Sequence, residues 1–293
     1  RVLFRSDYDQ ASSIIPAARS KSLATRVCSG RYPAAPRWAM TIGFFRGGME
    51  LFMPRQDNRS MLHPPRAVSL DLDNTLWDTP PVLERAEAAL QAWLSERAPR
   101  LADLYDRPAL ARLRASVAAE VPHRSHDFTF VRTESLRRAA IETGYAEHLA
   151  HDAFEVFISA RNRIDPFEEV PGALAWLSRR MPVYALTNGN ACVHRVGLGD
   201  HFAGSFAPAA VGYAKPDERI FAALAAAAGV PAPRIWHVGD DPEADVLGAQ
   251  RAGMIGVWMN RTEAVWPSAL PPPDLEVRDM DDLVARIEAT LSA

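Results

Sequence analysis

Lysine is almost missing from this chain: among 293 residues only Lys21 and Lys215 carry an ammonium side chain, and arginine fills nearly every other basic position. Cysteine is equally scarce. Cys28 and Cys192 alone give neither a metal-ligand spacing nor a disulfide framework, so a reducing cytoplasm is the expected setting. No apolar run approaches the roughly 18 residues of a membrane span, which argues against a transmembrane helix. Positive charge is also lacking where nucleic acid would need it. The formal net charge of −3 is uneven: residues 1–60 hold ten Lys/Arg and four Asp/Glu, leaving 23 basic and 32 acidic residues for the remainder. An acidic body of that kind lacks the clustered cations that phosphate-backbone binding requires. What is present, 48% hydrophobic and 24% charged residues, is the make-up of a globular protein, and the length suggests one large domain or one domain with an insertion.

The basic first sixty residues read differently from the rest. Arg1-Val2-Leu3-Phe4-Arg5-Ser6 is the in-frame translation of a common sequencing adapter, and the stretch through Arg37 is rich in Ser, Ala and Arg and poor in acids. An organelle transit peptide has a similar composition, but no amphipathic period emerges, and Gly and Pro interrupt any helix. Residues 1–60 are therefore expected to be a non-native or disordered extension, with Met61 as the native start.

From Arg66 the pattern becomes regular. Ala67-Val68-Ser69-Leu70 runs into Asp71-Leu72-Asp73, an apolar run closed by carboxylates, as a buried parallel strand ending at a site would be. Residues 80–166 are dominated by Ala, Leu, Arg and Glu at helical spacing, for example Leu83, Ala86, Ala89, Leu90 and Trp93, and later Leu136, Ala139 and Ala140. Segments 182–187 and 234–239 again read as short apolar strands with polar endings, 255–258 and 275–277 add two more, and Met280–Leu291 makes a closing helix. Strands alternating with helices point to an α/β fold with a parallel sheet. In such sheets ligands bind beyond the carboxyl ends of the strands, so the polar endings are expected to converge.

Those endings carry the chemistry. Asp71 and Asp73 alternate along an extended segment, so two acids flank one site with Leu72 pointing elsewhere, and two such anions need a cation. Thr187-Asn188-Gly189-Asn190 closes a second strand with a hydroxyl, an amide and a flexible backbone suited to donating hydrogen bonds to phosphoryl oxygens. Gly239-Asp240-Asp241 with Asp245 closes a third and offers the hard oxygen ligands that magnesium prefers. Lys215, the only lysine after Lys21 in a chain that otherwise uses arginine, marks a position where a compact point charge is needed.

With these motifs assembled, the sequence resembles the haloacid dehalogenase superfamily, whose four motifs appear in order over about residues 66–260. They are Asp71-Leu72-Asp73-Asn74-Thr75, Thr187-Asn188, Lys215-Pro216, and Gly239-Asp240-Asp241 through Asp245. The resemblance implies a Rossmann-like core with a parallel sheet flanked by helices, built from residues 66–79 and 167–293, and an inserted helical cap (C1 type) over residues 80–166. It implies a phosphatase in which Asp71 attacks phosphorus and Asp73 serves as acid and base. By the same resemblance Mg2+ would be held by Asp71, the backbone carbonyl of Asp73, and Asp240, while Thr187, Asn188 and Lys215 would bind the phosphoryl oxygens, with Asp241 and Asp245 behind them orienting metal-bound water or the lysine. Within the superfamily, Leu186–Asn190, Arg161–Asp165, Gly197–Phe202 and His237–Pro242 look most like bacterial phosphatases acting on 5-amino-6-(5-phosphoribitylamino)uracil and FMN in riboflavin metabolism. The expected partner is thus a small phosphate monoester, with neither nucleic acid nor membrane.

Cap residues that would face substrate are less marked in the sequence. Trp77 is a candidate for stacking a flat ring, and His126, Arg132, Arg161 and Arg163 for contacting phosphate or hydroxyls, against the ordinary reading of core aromatics and surface charges. His237, inside an apolar strand, reads as a core histidine, and Cys192 as a small buried hydrophobe rather than a nucleophile. Two other functions use the same scaffold: a 2-haloacid dehalogenase, which needs neither metal nor a second acid such as Asp73, and a catalytically silent binding module, which the intact acid set disfavours. A phosphosugar mutase is a third.

Overall fold

A computed structural model of the protein describes residues 62–292; the expectations placed on residues 1–60 and Met61 lie outside them. The first strand, β1 (Ala67–Leu70), is buried at every position. A helical block follows: α1 (Thr79–Arg97), α2 (Pro99–Leu104), α3 (Arg107–Glu120), α4 (Phe128–Glu142) and α5 (Leu149–Arg161). Pro80 and Pro81 open α1, where the missing N–H has no intrahelical partner to lose and the fixed φ suits a helix. Along α1 the buried apolar stripe is Val82, Ala86, Leu90 and Leu94, a ridge of fourth residues. Leu83, expected on that stripe, is 39% exposed, because the burying face is set one residue earlier. The block has its own core, in which Leu90, Leu94, Leu101 and Leu110 from the first three helices meet Leu136, Ala139 and Ala140 of α4 and Phe154, Phe157 and Ile158 of α5.

The chain then returns through α6 (Val170–Ser178) to β2 (Val183–Leu186), β3 (Gly204–Phe206), α7 (Pro208–Val211), α8 (Glu218–Ala228), β4 (Ile235–Gly239), a π-helical turn (Pro242–Leu247), α9 (Gly248–Arg251), β5 (Ile255–Met259), β6 (Leu275–Val277) and α10 (Met280–Leu291). Four of these strands lie within a residue of the expected segments. β3 was not expected: three residues at a sheet edge, Gly-Ser-Phe, carry no apolar run to announce a strand.

All six strands are parallel, in the order β3-β2-β1-β4-β5-β6. Side chains alternate across them as the pleat requires. Val68, Leu70, Val183, Ala185, Trp236 and Val238 face a layer built from α6 and α10, while Ala67, Tyr184, Leu186 and Ile235 face α8 through Ile220, Phe221 and Leu224. The chain leaves β1 for β2 on one side and later returns to β4 on the other. That reversal opens a crevice beyond the carboxyl end of β1, where Asp71 follows immediately. Two strand-like crossings tie the helical block to the sheet: Trp77 bridges Pro166, and Phe167 N–H donates to the Leu76 carbonyl at 3.0 Å.

Candidate active site

The loop after β1 is shaped by Asn74, whose backbone has a positive φ of 60°, a conformation asparagine tolerates better than most residues. Its side-chain oxygen accepts from Thr79 N–H at 3.1 Å, and its own N–H donates to Thr79 Oγ1 at 3.0 Å. This turn starts α1 and holds Asp71 and Asp73 at the crevice.

Asp71 is buried and accepts from Lys215 Nζ at 2.6 Å. The same ammonium donates to Asp245 Oδ1 at 2.5 Å, so one buried cation bridges two carboxylates. Asp240 joins them: carboxylate oxygens of Asp71, Asp240 and Asp245 lie within 4.8 Å of one another. Behind Asp245 runs a second line of contacts. His237 Nε2 is 3.0 Å from Asp245 Oδ1, His237 Nδ1 is 2.5 Å from Ser69 Oγ, and Asp241 N–H donates to Asp245 Oδ2 at 3.0 Å. Gly239 makes room for this. A Cβ there would stand 2.3 Å from Asp245 Oδ2, closer than any side chain tolerates.

Charge in this cluster is unbalanced. Burial works against a charged ammonium at Lys215, but Asp245 and Asp71 outweigh it and raise its pKa, so the lysine stays a cation. Asp245, in spite of burial, is held well below the usual carboxylate range by Lys215 and His237. Asp71 goes the other way: burial, with the Asp245 charge added, pushes it up even against Lys215. Burial and Asp245 likewise push Asp240 up to about 6. His237 is driven toward its neutral form by burial.

The donor set fits a hard divalent cation. Asp71 Oδ2 and Asp240 Oδ1 share only the Thr75 hydroxyl, at 3.5 and 3.4 Å, and one proton cannot satisfy both, so carboxylate lone pairs remain turned toward one point. Asp245 is less suited to ligation, because both its oxygens already accept from Lys215, His237 and Asp241. Its contact with Lys215 is the shortest of these. Asp241 plays a different part. Its carboxylate accepts from Glu243 and Ala244 N–H, both at 2.8 Å, which caps the π-helical turn.

Asp73 stands apart from this cluster. Its Oδ1 accepts from Trp77 Nε1 at 3.0 Å, Thr79 Oγ1 at 2.9 Å and Arg161 Nη2 at 2.6 Å, and its Oδ2 from Arg161 Nη2 at 2.5 Å. The side chain is thus held by the first turn of α1 and by the helical block rather than by Lys215. Across the crevice, Thr187 Oγ1 accepts from Gly189 N–H at 2.9 Å. A Cβ on Gly189 would meet Asp73 Oδ2 at 2.5 Å and Thr187 Oγ1 at 3.2 Å, so the ends of β1 and β2 close on each other only because that residue is glycine. The Asn188 side chain forms a reciprocal amide pair with the Lys215 backbone, donating to its carbonyl at 2.9 Å and accepting from its N–H at 2.8 Å. That fixes the lysine loop and occupies the Asn188 carboxamide.

The residues expected in the cap divide. Trp77 is fully buried and holds Asp73, so it offers no stacking face. Arg132 stays inside the helical block, donating to Glu87 at 2.8 Å and lying 3.5 Å over the Phe157 ring; it is not turned to the crevice. Arg163 is exposed and lines a groove of about 400 Å³ with Ala89, Glu155 and Ser159, which contains none of Asp71, Asp73, Asp240 and Asp245. His126 is half-buried between α3 and α4. Arg161, like Trp77, reaches Asp73. Ser69, Thr75 and Thr79 escaped notice in the sequence, because single hydroxyl residues carry no signal until the fold gives them partners. Cys192 is half-buried rather than buried, since the loop after β2 runs at the surface, and no described cysteine is a free thiol.

The sequence pattern of the haloacid dehalogenase-like hydrolases matches residues 65–253. The 5-amino-6-(5-phospho-D-ribitylamino)uracil phosphatase YigB of Escherichia coli K12 is 34% identical over 229 residues, covering 75% of this chain and 95% of that protein. A phosphoserine phosphatase of Thermus thermophilus is 35% identical over 52% of this chain and 63% of its own length. A solved structure described as a 2-haloacid dehalogenase from Pseudomonas syringae pv. tomato DC3000 superposes with a TM-score of 0.73 at 36% identity, covering 78% of this chain and 99% of that one. The chain belongs to the haloacid dehalogenase-like hydrolases. Its relatives include both phosphatases and dehalogenases.

Proposed function

We propose that the protein is a magnesium-dependent phosphomonoesterase working through an aspartyl phosphate on Asp71, with residues 80–166 acting as the cap over the site. The observation that carries this reading is the cluster of three carboxylates around a single buried ammonium, with Asp71 and Asp240 left short of hydrogen-bond donors. Asp71 attacks phosphorus in line; a P–O bond forms as the bond to the leaving alkoxide breaks. Asp73 gives that oxygen a proton and then takes one from the water that splits the acyl phosphate, which returns Asp71 as a carboxylate and releases phosphate. Lys215, Thr187 and the Asn188 backbone hold the equatorial oxygens, where charge builds up. Asp71, the Asp73 carbonyl and Asp240 would hold magnesium, which would supply positive charge that lowers repulsion between nucleophile and phosphate.

The substrate is a small phosphorylated metabolite. The similarity to the E. coli enzyme over 95% of its length favours 5-amino-6-(5-phosphoribitylamino)uracil or FMN, and with them a cytoplasmic place in riboflavin metabolism. A phosphate-release screen with magnesium tests this against nucleoside monophosphates, phosphoglycolate and sugar phosphates. Turnover of a flavin-pathway compound above the others supports the assignment, and no turnover of either rejects it. A dehalogenase reading is favoured by the Pseudomonas syringae likeness but leaves Asp73 and Asp240 without a task. Chloride release from 2-haloacids that persists in EDTA would establish it.

A further inference from the structure

Asp71 and Asp240 reach the crevice from two different loops, after β1 and after β4. The strands set these loops side by side, with Asp71 N–H donating to the Val238 carbonyl at 2.8 Å. Past the strand ends the two carboxylates share only the Thr75 hydroxyl, at 3.5 and 3.4 Å, contacts too long to fix their separation.

The end of β5 and the loop after it supply none of the three clustered carboxylates, yet they touch both loops. Trp258 Nε1 donates to the Asp240 carbonyl at 3.0 Å, and Arg261 Nε donates to the Thr75 carbonyl at 3.0 Å. Thr75 is fully buried, so its carbonyl has no water to replace that charged donor. Arg261 is itself held from a third side. Its Nη2 donates to Glu169 Oε1 at 2.6 Å, just before α6, and its guanidinium carbon lies 3.9 Å from the centre of the Phe167 ring. The loop is braced as well. Asn260 Oδ1 accepts from Ala264 N–H at 2.8 Å, Asn260 Nδ2 donates to the Ala264 carbonyl at 2.9 Å and to Glu276 at 2.7 Å, and the Trp258 and Trp266 rings meet edge to face at 5.0 Å. Magnesium demands near-ideal octahedral geometry at short distances, whereas calcium accepts longer and less regular ones. Resting on the reading of Asp71 and Asp240 as magnesium ligands, we propose that Arg261 and Trp258 are positioning residues that set the separation of the two carboxylates and thereby select the smaller ion.

Calorimetric titration with magnesium and with calcium, in the absence of substrate, tests this. Arg261→Gln removes the charged fork, and Trp258→Phe removes one donor atom while keeping an aromatic ring. Each is expected to lower magnesium affinity by about tenfold or more and calcium affinity by less than about threefold, so the ratio of the two falls. Residues that merely stabilised the fold would lower the melting temperature and leave that ratio as it is in wild type. Thermal melting establishes that each variant is folded at the titration temperature. Trp258→Phe leaves every Arg261 contact in place, so it carries the test where Arg261→Gln does not fold. A ratio unchanged in a folded variant overturns the proposal. Wild type that binds no magnesium, or Asp240→Asn that binds it as tightly as wild type, removes the ligand reading itself.

Discussion

Lys215 is the residue on which the site balances. It is buried between Asp71 and Asp245, and removing one partner of a buried ionic group is far more damaging than the net worth of the contact, because the remaining charges are stranded. Lys215→Met is expected to destabilise the protein by about 3–5 kcal/mol at neutral pH, read by denaturant unfolding, and to lose less in mild acid where the carboxylates protonate. Asp71→Asn removes the nucleophile and is expected to cut turnover about 10⁴-fold or more without comparable loss of stability, measured by phosphate release. Asp240 gives a pH signature. Its carboxyl is raised to about 6, so the metal-free native state binds a proton that the unfolded chain does not between the ordinary carboxylate value and 6. Stability without metal should therefore fall as pH rises through that window. Magnesium affinity should rise over the same window as Asp240 ionises; an affinity flat from pH 5 to 7 by calorimetry would contradict its place as a ligand. The sequence made the acids and the lysine legible because their spacing after apolar runs is unusual. It could not reveal that the Asn188 carboxamide holds the lysine loop, that Asp241 is a helix cap, or that Trp77 and Arg161 both grip Asp73. Those roles depend on which direction a side chain takes once β1, β2 and α5 have been brought together.

At the level of elements, the sheet was readable wherever four or more apolar residues end in polar ones, as in β1, β2 and β4. β3 escaped because an edge strand of Gly-Ser-Phe buries too little to leave a pattern. The helical block was readable as helix, but its inward face was not. Period alone leaves the phase open by one residue, and packing against the sheet-side core of β1 and α6 placed Val82 inside and Leu83 outside. Leu90→Ala should open a cavity in that core and cost about 2–5 kcal/mol, whereas Leu83→Ala should cost well under 1 kcal/mol; equal losses in thermal melts would show the stripe misplaced. Gly189→Ala is the corresponding probe between strands. Its methyl would press on Asp73 Oδ2 at 2.5 Å, so kcat is expected to fall while the sheet, and with it the melting temperature, changes little.

For the molecule as a whole, the parallel sheet and its switch point at β1 gather the acids and Lys215 at one crevice, with the helical block attached through residues that flank it. No helix among the described residues is long and apolar enough to cross a membrane. The central claim is that Asp71 becomes phosphorylated, and hydroxylamine trapping during turnover tests it most directly. With magnesium and p-nitrophenyl phosphate, mass spectrometry is expected to find Asp71 converted to its hydroxamate, dependent on both metal and substrate and absent in Asp71→Asn. Turnover that proceeds with Asp71 unmodified would contradict the account.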